Sequence, residues 1–241
     1  MSIFNKNRKS LISKKSITKY LLYGIGEIIL VVVGILIAVN INDYYEQKAS
    51  EKRLEAYLEV YKQDLEIDTT VVGQVLKYVD NKKDHFQLFL NDTVSAKAYK
   101  ENPQGYGLTL SYFPFKLQQK GIGLLENYVN DTEINQDTLI TNILANHRIY
   151  ENFINTSVER IGEDIDTNMD YLKEEQPWIA NLLLGQFNHP DMIPYFLSEN
   201  YRARLAVHSG LVYGNFEPQL KAIQAFYKAT ITQLNERLEK K

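Results

Sequence analysis

The side chains that could carry chemistry are four histidines, thirty carboxylates and a few serines, set in a 241-residue chain without cysteine. The histidines are His85, His147, His189 and His208. None falls into an H-x-x-x-H or H-E-x-x-H spacing, which would place two imidazoles one helical turn apart for zinc. His147 and Glu151 form an i,i+4 pair, but two ligands do not make a metal site. A histidine on a partly buried helix face is the expected reading. Glu163, Asp164, Asp166 and Asp170 have the oxygens a cation needs. They scatter around a helix and lack a glycine-containing calcium loop, so a solvated face is expected. Ser209-Gly210 is not a nucleophile elbow, because G-x-S-x-G is missing. No P-loop is present, and Gly24-Ile-Gly26 lies inside an apolar run and does not open a dinucleotide fold. The absence of cysteine excludes disulfides, thiolate metal sites, Fe–S ligation and a cysteine nucleophile. The expectation is therefore no catalytic residue, no cofactor, no metal and no enzymatic activity. Tyr195, Tyr201, Tyr213 and Phe216 fall close enough together in sequence to line a pocket, although packing at the edge of a core is the expected reading.

The acid that most needs an explanation is Glu27. It is the only charged residue between Tyr20 and Ile41, in YLLYGIGEIILVVVGILIAVNI. Twenty-two helical residues cover about 33 Å, enough to cross a hydrocarbon core of about 30 Å. A cleaved signal would have a shorter apolar region and a small-residue cleavage pattern; Val39, Asn40, Ile41 and Asn42 offer none. The expectation is an uncleaved transmembrane helix over 20–41. An acid in hydrocarbon costs a few kcal/mol on insertion scales. It can carry protons within a larger complex, hydrogen-bond a partner helix, or lean back toward the headgroups. Gly34 and Ala38 stand seven and eleven residues on, within about 20° of the Glu27 direction. Gly34-x-x-x-Ala38 permits close helix approach. Glu27, Gly34 and Ala38 are thus the candidate membrane-helix interface, for self-association or for another membrane protein.

Charge sets the orientation. Residues 1–19 carry six basic and no acidic side chains, so the remainder of this −3 chain carries −9. Beyond the apolar run, the stretch 42–61 holds Lys48, Lys52 and Arg53. Six against three keeps the N-terminus in the cytoplasm and sends residues 42–241 outside, into the periplasm of a Gram-negative cell. Tyr20, Tyr23, Tyr44 and Tyr45 fit aromatic belts at the two interfaces. An acidic outer part argues against nucleic acid as a partner. The basic tail, residues 1–19, can touch anionic headgroups of the bilayer.

The run from Tyr20 to Ala38, followed by Asn40 and Asn42, resembles an uncharacterised bacterial single-pass membrane family, domain-of-unknown-function family 6090. Its N-terminal signature runs close to Y-x-I-G-E-I-x-L-V-V-I-G-I-L-I-A-x-x-I-N. Gly121-Ile-Gly-Leu-Leu-Glu-Asn127 is similar to a degraded form of that family's central stretch. The resemblance implies a membrane-anchored protein with a helical extracytoplasmic part, and it implies no catalytic residue.

The elements that hold these residues are helical. Leu58, Leu65, Val72, Val79 and Phe86 recur every seven residues. Leu54, Tyr61, Val75 and Phe89 fill a second heptad position, interrupted by Asp68 and Lys82. The spacing predicts a helix from about Lys15 to about Leu90, whose stripe serves either a coiled coil between protomers or, as the downstream apolar segments favour, a bundle within the chain. Residues 99–107 read as a loop. A short helix after Pro114 is expected to end at Gly121 and Gly123. A long helix follows, capped by Asp131 or Thr132 and stopped at Pro177. Residues 178–185 read as a short apolar helix or a packed connection. Asn200 is expected to cap a last helix, kinked or split by Pro218 near Gly214. The fold class is all-α: one N-terminal transmembrane helix continuing into an antiparallel extracytoplasmic helical bundle. The function this supports is a membrane-anchored periplasmic interaction or scaffold protein in the bacterial inner membrane. The alternative is a periplasmic ligand-sensing bundle acting through a partner.

Overall fold

A computed structural model describes residues 14–111, 113–131 and 137–239. Most of the basic tail and Thr132 lie outside the described residues, as does Tyr112. The described residues are helical and hold no strand: α1 (Lys14–Phe89), α2 (Ala96–Glu101), a 3₁₀ helix (Pro103–Leu110), α3 (Lys120–Asp131), α4 (Thr138–Glu175), α5 (Ile179–Leu183), α6 (Met192–Phe196), α7 (Glu199–Ser209), a π-helical segment (Gly210–Phe216) and α8 (Glu217–Glu239). The fold is all-α. The chain divides into two compact units, residues 1–54 and 55–241, with α1 contributing to both.

In the 1–54 unit, every Leu, Ile and Val from Leu21 to Ile41 is exposed. The polar groups that follow are satisfied locally. Asn40 donates to the Leu36 carbonyl at 2.8 Å and Asn42 to Glu46 at 3.0 Å. Such i to i−4 and i to i+4 bonds let a helix continue through polar residues. One helix of the described residues is long and apolar enough to cross a membrane, and this is its segment.

In the 55–241 unit the heptad stripe is the core. Leu58, Leu65, Val72 and Val79 are buried, as are Tyr61, Val75 and Phe89. Their partners lie within the same chain. Tyr61 meets His147 of α4, and the Thr69 carbonyl accepts from Gln224 of α8. Lys83 pairs with Glu217 at the start of α8. Along α1 the α4 partners climb in number while the α8 partners fall. From Glu55 on, α1 therefore runs alongside α4 in the same direction, and α8 runs opposite to both. Ser157 with Gln219 and Arg237 with Asp137 repeat the opposed sense between α4 and α8. The parallel pair requires a long return, which residues 90–137 provide.

A second, aromatic core closes one end. Tyr99, Tyr106, Trp178, Tyr195, Phe196 and Tyr201 are all buried in it. Two of its hydroxyls are satisfied by backbone: Tyr99 donates to the Phe196 carbonyl at 3.0 Å and Tyr201 to Gly105 at 2.9 Å. Gly105 also makes room for Phe89, because a Cβ there would sit 2.3 Å from the Phe89 ring.

Several local expectations are corrected. Residues 99–107 are not a loop: α2 and the 3₁₀ helix occupy them, held by burial of Tyr99, Tyr106 and Leu108. Gly121 and Gly123 do not end a helix but lie in the first turn of α3. Asp131 is the last residue of α3, and the α4 cap is Asp137, which accepts from the Leu139 and Ile140 amides. Ser198, not Asn200, caps α7 by accepting from Tyr201. Asn200 instead accepts from Arg204. Pro218 does not split the last helix but follows directly on a π segment, Gly210–Phe216, at whose end the Glu217 amide bonds the Val212 carbonyl five residues back.

Candidate functional site

Glu27, Gly34 and Ala38 lie on one stripe of α1, and all three are exposed. Nothing comes within 4 Å of a Cβ built at Gly34. Glu27 has no hydrogen-bond or ion-pair partner among the described residues. The helix geometry sets the three side by side over about 16 Å of axis, without bringing any other part of the 1–54 unit against them.

The 55–241 unit holds two polar sites inside its core, and each begins at a residue that breaks the heptad stripe. The first is Asp68, fully buried and accepting the Gln118 amide on both oxygens at 3.1 Å. One turn earlier, Asp64 accepts the Gly121 amide at 2.6 Å. Together they cap α3 from α1, placing carboxylates where a helix N-terminus presents free N–H groups. Beside them, Tyr61 hydrogen-bonds His147 Nδ1 at 3.0 Å, and Tyr227 stacks on the imidazole. His147 Nε2 and the Tyr227 hydroxyl are buried with no hydrogen-bond partner among the described residues.

Burial perturbs this cluster in two opposed ways. It pushes Asp68 up to about 6, with Asp64 adding to the rise and the Gln118 amide opposing it. It pushes His147 down to about 4, with Arg148 adding and Glu151, Glu126 and Asp64 opposing. The folded state therefore holds the Asp68 proton more tightly than the unfolded chain does. That contribution to stability is complete below the ordinary carboxylate range and is lost as pH rises toward 6. His147 contributes above its ordinary value of 6.5, and this is lost as pH falls toward 4. The two slopes oppose each other between about pH 4 and 6. Asp68→Asn, which leaves His147 alone, is expected to fall further in stability than the unaltered chain when pH drops from 6.5 to 4.5. His147→Gln is expected to gain relative to it. Urea unfolding of the full chain in detergent at the two pH values checks this, and parallel slopes for all three proteins would contradict it.

The second site begins at Lys82. A cavity of about 40 Å³ lies between α1, α4, α7 and the π segment. Phe86, Phe113, Val158, Ile161, Val212 and Phe216 give it apolar walls, and Lys82, Ser111, His208 and Tyr213 add polar groups. The Lys82 ammonium donates to Ser111 Oγ and sits 4.7 Å from the Tyr78 ring centroid. Ser111 donates in turn to the Gly107 carbonyl at 2.8 Å. The Tyr213 hydroxyl donates to the Val79 carbonyl at 3.0 Å. His208 is held by Asp164, 2.7 Å from Nδ1, and its ring stacks on Phe86. Asn168 donates to the same Asp164 oxygen, and Arg204 braces Asn168 while lying over Tyr171. Asp164 is thus not part of a solvated face, as the acidic run suggested, but the orienting partner of a buried histidine. Of the four aromatic residues read as possible pocket lining, Tyr213 and Phe216 line this cavity, whereas Tyr195 and Tyr201 belong to the aromatic core.

Residues 27–112 match the model of a family of unknown function (DUF6090). This segment belongs to DUF6090. No curated protein and no solved structure matches the chain. The DUF6090 segment starts at Glu27 and takes in Asp64, Asp68, Lys82 and Ser111, so both core sites are built on it. It ends before 121–127, so the likeness of that stretch to the family lies outside the matched residues. Within the DUF6090 segment the signal that could have located both sites was present in the sequence: a charged residue at a position where every other repeat of the stripe is apolar. Their partners, Gln118, His147, His208 and Tyr227, lie outside it, and no local pattern marks them.

Proposed function

We propose that this is a membrane-anchored interaction protein without enzymatic activity. Residues 20–41 span the bacterial inner membrane, residues 1–19 stay in the cytoplasm, and residues 42–241 form a helical domain in the periplasm. The carrying observation is the contrast within α1. Its apolar side chains from Leu21 to Ile41 are all exposed, whereas the stripe from Leu58 to Phe89 is buried by the chain itself. An exposed apolar run of that length needs lipid or another helix to cover it. A non-enzymatic reading is supported by how the core polar groups are used. Asp64 and Asp68 hold backbone amides, and Tyr61 and Asp164 hold histidines.

The face of Glu27, Gly34 and Ala38 is where the anchor meets a second copy or another membrane protein. An interhelical hydrogen bond from Glu27 contributes only about 0.6 kcal/mol on average and at most about 1.7. Close packing at Gly34 and Ala38 must supply the rest. In energy transfer between labelled full-length copies in membranes, Gly34→Leu is expected to bring the signal to background. Glu27→Gln should lower it only in part, because an amide still hydrogen-bonds, and Val33→Leu, about 100° away, should leave it unchanged. Equal effects of all three changes, or no transfer in the unaltered protein, would remove this interface.

The cavity beside the π segment favours a second reading, a ligand-sensing bundle that acts through a partner. It lies between long helices and has aromatic walls with a few convergent polar groups, and at about 40 Å³ it is well short of the roughly 300 Å³ or more of a formed small-molecule site. A seven-residue π segment forms one wall, and π-helical turns recur at functional sites.

A further inference from the structure

One side of the 55–241 unit is kept clear of charge, on a chain in which 24% of the residues are charged. It lies between α4 and α8. From Thr138 to Val158 the only acidic or basic side chains besides His147 are Arg148 and Glu151. Arg148 pairs with Glu151 and with Glu126 of α3. Arg148 and Glu151 stand about 140° and 160° around α4 from Phe153. From Pro218 to Asn235 only Lys221 and Lys228 are charged, and they stand about 140° and 160° around α8 from Phe226. Both helices therefore turn their charges away from the side they share.

That side is apolar or amide-bearing instead. Tyr150 of α4 stacks on Phe226 of α8, with ring centroids 5.1 Å apart. An open groove of about 560 Å³ runs beside them, with Leu139, Asn142, Asn146, Ala229 and Gln233 along it. Ile149 and Phe153, one turn apart on the same side of α4, keep 51% and 49% of their surface exposed. Aromatic enrichment with loss of charge marks the core of a protein interface, whereas apolar content alone does not.

The charge pattern decides what covers this face. A two-fold pairing sets each residue near the axis against its own copy, so a charge there meets its like. Beyond the basic tail the chain is net acidic, and a face without charge is the one that two copies can bring together at no such cost. Asn142, Asn146 and Gln233 suit the same symmetry, because an amide both donates and accepts and so can bond its own copy. Residues 138–158 make the face about 30 Å long, and two helices about 10 Å apart make it about 20 Å wide. That is about 600 Å² for each copy, under the roughly 800 Å² of a standard interface. Such a contact draws on the high local concentration that anchoring in one bilayer supplies.

We propose that two copies of this chain pair through the α4–α8 face, about a two-fold axis along the membrane normal, with Ile149 and Phe153 of one protomer against the same residues of its partner. The inference rests on the membrane-anchored reading, which puts both copies in one bilayer at equal height, and it names a second copy as the partner.

Energy transfer between labelled full-length copies in lipid vesicles tests the pairing by charge. Ile149 is half exposed, so Ile149→Glu and Ile149→Lys spare the core, and unchanged circular dichroism and melting temperature verify it. Each variant paired with itself sets like charges at the axis and is expected to associate about tenfold more weakly than the unaltered chain. Paired with each other, the two set opposite charges there, and association is expected to return to the unaltered level. Lys228→Glu, on the far side of α8, should change nothing; a loss equal to that of Ile149→Glu would make net charge the cause and overturn the pairing. Weak association that persists in the mixed pair would overturn it too, because residue 149 would then not face its own copy. If Ile149→Glu has no effect while Gly34→Leu removes the transfer, the α4–α8 pairing falls and the anchor interface stands. No transfer in the unaltered chain would overturn both.

Discussion

Gly121→Ala is expected to destabilise the 55–241 unit by about 3 kcal/mol or more, the range of severe overpacking in a core. A Cβ at Gly121 would lie 2.3 Å from Tyr61 Cα and 2.7 Å from Tyr61 N. Those are backbone atoms in the middle of α1, so no side chain can swing away to make room. Moving α3 outward instead would stretch the 2.6 Å bond from the Gly121 amide to Asp64 and the paired bonds from Gln118 to Asp68. That would leave two buried carboxylates without the donors that justify their place. Gly123 is the internal control. It lies in the same turn of α3, and nothing comes within 4 Å of its Cβ. Gly123→Ala should be neutral or stabilising by up to about 1 kcal/mol, through helix propensity alone. Urea unfolding followed by circular dichroism measures both. A Gly121→Ala chain within about 0.5 kcal/mol of the unaltered one, the ordinary scatter of surface changes, would show that α3 does not dock on α1 through this contact.

The same contact shows what could and could not be read from the sequence. A glycine pair after a proline reads as a helix stop, and without the partner helix that is the reasonable inference. The α3 cap could not be found locally, because the residue before Lys120 is a glutamine and the capping carboxylates lie more than fifty residues upstream. Asp137 was missed for a different reason. Asp131 and Thr132 offer the same capping chemistry slightly earlier, and only the extent of α3 decides between them. What local periodicity determines was legible. The stripe Leu58, Leu65, Val72, Val79 and Phe86 gave the long first helix and its buried face, and the run 20–41 gave the exposed apolar segment. Asp164 looked solvated because its partner His208 is 44 residues away on another helix. Asp68 and Lys82 were visible as breaks in the stripe. Their meaning depended on Gln118, Ser111 and the cavity walls, which a heptad pattern does not contain.

The Glu27 stripe was equally visible, but it lies in the unit whose surroundings the chain does not supply. Helical spacing alone sets Glu27, Gly34 and Ala38 in line.

Topology is therefore the claim to test most directly, and a chain with no cysteine allows it without removing any native thiol. Three single substitutions suffice: Ser10→Cys in the basic tail, Val33→Cys in the apolar run and Gln87→Cys on the exposed side of α1. In intact cells with a permeable outer membrane, a charged maleimide that cannot cross the inner membrane is expected to label Gln87→Cys fully. Ser10→Cys should be labelled only after the membrane is opened, and Val33→Cys only after the bilayer is dissolved and the chain denatured. Labelling of Ser10→Cys but not Gln87→Cys in intact cells would invert the orientation. Ready labelling of Val33→Cys in unopened cells, or recovery of the protein in the soluble fraction, would contradict the membrane anchor itself.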